Sequence, residues 1–85
     1  MASDFAYAWY NIGCIQMALH DYDEARKAFS KALNLEPRFP DAYYNRGLAC
    51  ILNGQLQMGL SDLSQAGEYG LYGAYNLIKR YSKKE

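Results

Sequence analysis

Histidine is almost missing from this chain: His20 is the only one in 85 residues. Cysteine is scarce, with Cys14 and Cys50 far apart and no C-x-x-C pair. One imidazole and two distant thiols cannot complete a zinc ligand set, so no metal and no cofactor is expected. The two cysteines read as small, free, buried thiols, which fits a reducing, cytoplasmic setting. Net charge is lacking too, with nine basic and nine acidic residues. A balanced chain gives no reason to expect nucleic acid or an anionic membrane surface as its partner. No apolar run approaches the length of a membrane span. The start does not read as a leader, because Asp4 comes early and no apolar core follows a basic segment. Met1-Ala2-Ser3 leaves open that the chain is one piece of something longer. Ser-His-Asp sets, paired carboxylates and phosphate-cradling glycine loops are all absent, so an enzyme is not expected. His20 reads as a solvated turn residue.

What is present is helical periodicity. Phe5, Ala8, Trp9, Ile12, Ile15 and Leu19 recur at helical spacing. Ser3 or Asp4 can cap that segment. Asp21 followed by Glu24 has the form of a capping box. Behind it Tyr22, Ala25, Ala28, Phe29, Ala32 and Leu33 form one apolar stripe. Pro37 and Pro40 end this helix and open the next, with Pro40 suited to a first helical position. A third helix runs through "DAYYNRGLACILN" until Asn53-Gly54 breaks it. A fourth carries Leu56, Leu60, Leu63 and Ala66 on one side, with Gly59 inside and Gly67 at its end. "GEYGLYG" reads as a loop. The last helix, "AYNLIKRYSKK", gathers Lys79, Arg80, Lys83 and Lys84 toward its end, where they suit the helix dipole and face solvent. The expectation is an all-α domain of five helices over residues 1–85.

Sliding the chain by 34 residues superposes Ala8 on Ala42, Tyr10 on Tyr44, Asn11 on Asn45 and Gly13 on Gly47. Ser30 falls on Ser64 and Ala32 on Ala66. A second slide brings Ala6-Tyr7 onto Ala74-Tyr75. A fixed interval of this size marks stacked copies of one supersecondary unit. The expected units are repeat one at about 6–39, repeat two at about 40–73 and a closing helix at about 74–83.

On these residues the chain resembles the tetratricopeptide repeat family. Trp9, Ile12-Gly13, Ala25, Phe29, Ala32 and Pro37 follow the family pattern in the first unit, with Gln16 where Tyr is usual. The second unit carries Tyr43, Gly47, Gly59, Leu63 and Ala66, with Leu71 where Pro is usual. These two sets are read as repeat core. Arg46, at the place of Ile12, requires an exit to solvent or a carboxylate partner. The resemblance implies a right-handed α-solenoid of antiparallel helix pairs.

The resemblance further implies that the first helix of each pair lines a concave face. Tyr7, Tyr10, Asn11, Cys14, Met17 and Ala18 would then line it from the first helix. Asp41, Tyr44, Asn45, Leu48 and Ile51 would do so from the third, and Tyr75, Ile78, Lys79 and Ser82 from the last. Tyr10 and Tyr44 are stiff aromatic platforms, while Asn11 and Asn45 can hold a peptide backbone. The expected function is non-catalytic: a protein-interaction module gripping a peptide segment of a partner. One branch of the family clamps the C-terminal carboxylates of heat-shock chaperones with Lys and Asn, then Asn, then Lys and Arg. Here Tyr10 and Cys14, Asn45, and Tyr75 and Lys79 stand at those places, so that clamp is not expected. The alternative is a self-assembling or truncated scaffold, a homo-oligomer formed through the exposed first-helix surface or a swapped last helix hinged at "GEYGLYG".

Overall fold

Phe29 and Leu63 stand 34 residues apart and both are fully buried. Each anchors a helix pair, and each such burial is worth roughly 2–3 kcal/mol. The computed structural model describes residues 3–82, which form five helices: α1 (Asp4–Ala18), α2 (Tyr22–Leu35), α3 (Pro40–Leu52), α4 (Leu56–Glu68) and α5 (Ala74–Ser82). Each helix packs on the next, and α1 also touches α3. The result is a slab of 42 × 27 × 16 Å.

The ends follow local chemistry, with corrections. Of the two candidate caps for α1, Ser3 does the capping, its Oγ accepting from the Ala6 N–H at 3.0 Å. The capping box at Asp21 does not form, because the Asp21 side chain makes no cap bond. Pro40 opens α3 as expected. "GEYGLYG" is only partly loop: α4 runs through Gly67 to Glu68, and the turn occupies Tyr69 to Gly73. His20 and Gly54, again 34 apart, both close the first helix of their pair at positive φ, 61° and 86°. Lys83, Lys84 and the last residue of the expected closing helix lie outside the described residues.

Three clusters form a continuous core. Ala6, Ala32, Leu33, Phe39 and Ala42 make the first, with Trp9, Tyr10 and Tyr43 against it. Ala25, Phe29 and Ala49 make the second, flanked by Tyr10, Cys14 and Met17. Leu63, Ala66 and Ala74 make the third, under Tyr43, Tyr44, Ile51, Leu77 and Ile78. The α3–α4 crossing is so close that a Cβ on Gly59 would sit 2.6 Å from the Gly47 carbonyl oxygen. No other residue type fits both places without moving a backbone.

Two residues read as repeat core are not core. Ile12 is exposed, since no helix packs on its side of α1, and Pro37 is exposed in the α2–α3 turn. The residues equivalent to the outward face of α1 show why. Ala42 and Ala49 in α3 are fully buried against α2, whereas Ala8 and Ile15 in α1 stand exposed. At the far end Tyr81 occupies the position of Gly13 and Gly47, so α5 offers no notch for a close-crossing helix.

Candidate functional site

The odd-numbered helices run side by side. Tyr10 of α1 lies against Phe29 at 5.7 Å and Phe39 at 5.0 Å between ring centroids. It also meets α3 directly: Asn45 Nδ2 donates to Tyr10 Oη at 3.0 Å and to the Asp41 carbonyl at 3.1 Å. One turn of α3 away, Tyr44 shares the third core cluster with Ala74, Leu77 and Ile78 of α5. The Tyr10–Asn45 pairing recurs by position as Tyr44 and Lys79, but no hydrogen bond joins that second pair among the described residues.

The twelve residues expected on the concave face divide into two groups. Tyr7, Asn11, Asp41, Tyr75 and Lys79 are exposed. Tyr10, Cys14, Met17, Tyr44, Asn45, Leu48 and Ile51 are half-buried, and most of them already have structural work. Cys14 and Met17 pack on Ala25, Phe29 and Ala49, and Ile51 lies over Gly59. Asn45 spends its two amide hydrogens inside the fold, leaving its carbonyl oxygen as the free group. Tyr75 lays its ring on Gly67 of α4, where a Cβ would meet the ring at 2.5 Å. Tyr7 stands edge-on to Phe39 at 5.3 Å. Partial burial, then neighbouring Cys14 and Asp41, hold the Tyr10 phenol protonated well above its ordinary range, against the opposing pull of the Asn45 hydrogen bond.

The opposite side holds a feature that sequence reasoning did not assemble. Arg26, Ser30, Arg46, Cys50, Met58, Ser61 and Asp62 line a cleft of about 240 Å³ between α2, α3 and α4. The carboxylate that Arg46 demands is Asp62: Nε and one terminal nitrogen each donate to it at 2.8 Å. The other terminal nitrogen reaches Ser30 Oγ at 3.2 Å. The guanidinium also stacks 5.5 Å from the Tyr43 ring. The hydrogen bonds to Asp62 outweigh burial and keep Arg46 firmly charged. Arg26 is likewise held by Asp23 at 3.0 Å. Both cations are thus neutralised, and the cleft offers an anion no unpaired charge. Burial raises the Cys50 thiol above its ordinary range, which keeps it protonated and unreactive. A semi-buried Arg four residues before a buried cysteine was the sequence signal for this cluster; the sixteen-residue separation of Arg46 and Asp62 hid the partner.

Among the described residues no group of three His, Cys, Asp or Glu is placed to hold a metal ion. No helix among them is long and apolar enough to cross a membrane.

Stacked antiparallel helix pairs with an inner row of odd-numbered helices define a helical-repeat scaffold. Residues 6–39 match the tetratricopeptide repeat, and residues 28–60, from within α2 to within α4, match it again. The chain belongs to the tetratricopeptide repeat family, and with it to the helical solenoid fold. Membership implies a role in protein–protein interaction. The chain is 27% identical over 95 aligned positions to neutrophil cytosol factor 2 of Homo sapiens, covering 89% of this chain and 18% of that protein. It is 32% identical over 57 to neutrophil cytosol factor 2 of Bos taurus, covering 67% of this chain and 11% of that one. The photosystem I assembly protein Ycf3 of Cuscuta gronovii is 29% identical over 65, covering 74% of this chain and 39% of that protein. The chain therefore spans well under half the length of each of these relatives.

Proposed function

We propose that the chain is a non-catalytic module that holds a short segment of a partner protein along α1, α3 and α5. The observation that carries this reading is the row of exposed, chemically mixed side chains on three adjacent helices. Tyr7 and Asn11 stand on α1, Asp41 on α3 and Lys79 on α5. Their helices are fixed relative to one another by the Tyr10–Asn45 bond and by Tyr44 in the third cluster. A rigid row of this kind saves a ligand the cost of ordering its receptor. Asn11 offers a complete amide to a peptide backbone, Asn45 one acceptor, and Lys79 a cation for an acidic group or carboxylate. With charge balanced, neither nucleic acid nor a membrane surface is invoked as partner, and two free thiols suit a cytoplasmic setting. That one relative's name speaks of an assembly protein and another's of a cytosol factor accords with a binding role.

The test separates binding from folding. Asn11→Ala with Lys79→Ala leaves the melting curve of the isolated chain in place and weakens a selected peptide at least about tenfold, which is the scale of one or two lost hydrogen bonds. Unchanged affinity in that folded double variant removes the reading. Tyr10 and Asn45 are poor choices for this test, because they hold the two repeats together.

A further inference from the structure

The outward face of α1 carries Phe5, Ala8, Ile12, Ile15 and Leu19, spaced 3, 4, 3 and 4 residues apart. The four large ones are 74%, 40%, 61% and 71% exposed. This is an unbroken seam of the coiled-coil spacing, about 21 Å long at the helical rise. We infer that a second copy of this chain covers it, through antiparallel pairing of α1 with α1 centred on Ile12.

Size decides the direction. Pairing about Ile12 sets Phe5 against Leu19 and the small Ala8 against Ile15, so each narrow place meets a wide one. A parallel pair sets Ala8 against Ala8 and leaves a void. Charge decides it the same way. Asp4 is the only ionised side chain on α1. Antiparallel pairing places the two copies of Asp4 at opposite ends of the seam, whereas parallel pairing brings them together, with their helix dipoles aligned. The remaining flanks, Trp9, Asn11, Gln16 and Ala18, bring no like charges into opposition.

The seam is not shaped for another helix of the repeat type. Where α2 packs on α3 it meets Ala42 and Ala49, both fully buried. The same places in α1 are Ala8 and Ile15, and Ile15 holds a helix off the spacing that Ala49 permits. Head-to-tail growth is disfavoured at the other end, where Tyr81 replaces the crossing glycine of α5. A closed, two-fold dimer is the arrangement left. The exposed portions of the four large side chains amount to roughly 500 Å² per copy, so a pair buries roughly 1,000 Å², the lower end for a specific interface. A dissociation constant in the micromolar range follows from an interface of that size.

Sedimentation velocity of the full chain from about 5 to 500 μM tests this, a range that brackets micromolar association. The mass rises from 9.7 kDa toward twice that value. Ile15→Glu weakens association at least about 100-fold, since it places a charge against Ala8 in a dry seam. Its dilute melting curve stays that of the parent, because Ile15 is exposed in the monomer. Leu19→Glu, at a still more exposed place, repeats the result independently. Mixing Ile15→Glu chains with Ala8→Lys chains restores a dimer, because the antiparallel register brings those two positions together. A constant monomer across the range overturns the proposal. So does open-ended growth, a dimer indifferent to Ile15→Glu and Leu19→Glu, or a mixture without rescue.

Discussion

Asn45 bridges the two repeats by donating one hydrogen bond to Tyr10 on α1 and one to the Asp41 carbonyl on its own helix, at 3.0 and 3.1 Å. Position 45 was read from the sequence as a hand held out to a ligand. In the fold it is first a strut. Tyr10→Phe removes the acceptor, leaves one amide hydrogen without its partner and costs about 1 kcal/mol, measured by urea unfolding.

The same tyrosine sets a pH dependence. The folded chain holds the Tyr10 proton more tightly than the unfolded chain, whose phenol titrates near its ordinary 10.0. Its contribution is therefore complete below that pH and is lost as pH rises through the raised folded value. The buried Cys50 thiol adds a loss of the same sign above its ordinary 9.0. Melting temperature should be flat from pH 7 to pH 9 and fall above it, with a shallower fall in Tyr10→Phe.

Arg46 and Asp62 form the strongest ion pair of the fold, with side chains 24% and 13% exposed. That residual solvent contact screens it, so removing one partner in Asp62→Ala costs roughly 1.5–3 kcal/mol, below the range for a dry pair. Arg46→Leu with Asp62→Leu costs less than either single change, because no charge is left alone. A double-mutant cycle in urea reads the coupling directly.

Gly59 and Gly67 both admit a neighbour, but neighbours of different stiffness. A methyl on Gly59 meets the Gly47 carbonyl, which is backbone, while one on Gly67 meets the ring of the exposed Tyr75. Gly59→Ala should cost at least about 2 kcal/mol and Gly67→Ala less than 1 kcal/mol, by thermal unfolding. Equal costs would mean that Tyr75 is held as firmly as a helix backbone.

Gln16 is the departure from the family pattern in the first unit, and its buried amide oxygen has no hydrogen-bond partner among the described residues. Gln16→Met keeps the volume and removes the stranded polar group, raising stability by about 1 kcal/mol.

The repeat interval and the apolar stripes made five helices, their order and most of the core legible in advance. Phe29, Leu63 and the crossing glycines lie where the spacing put them. What the spacing could not say was which side of a helix has a neighbour. Ile12 and Ile15 read as core because periodicity marks an apolar face without revealing whether anything covers it. The candidate site was legible as a row of positions and not as a set of free groups. Whether Asn45 and Tyr75 are available depends on Tyr10 and Gly67, which lie 35 and eight residues away in the chain. The Arg46–Asp62 pair was foreseen as a need, and only packing supplied the partner.

The central claim, that the α1, α3 and α5 row is the interaction face, is tested most directly by amide chemical-shift mapping. The probe is a peptide selected from a random displayed library against the full chain. The account predicts that the largest shifts fall on Asn11, Asp41 and Lys79 and their helical neighbours, with α2 and α4 unmoved. Shifts concentrated on Arg26, Ser30 and Ser61 would contradict it and transfer the site to the opposite cleft.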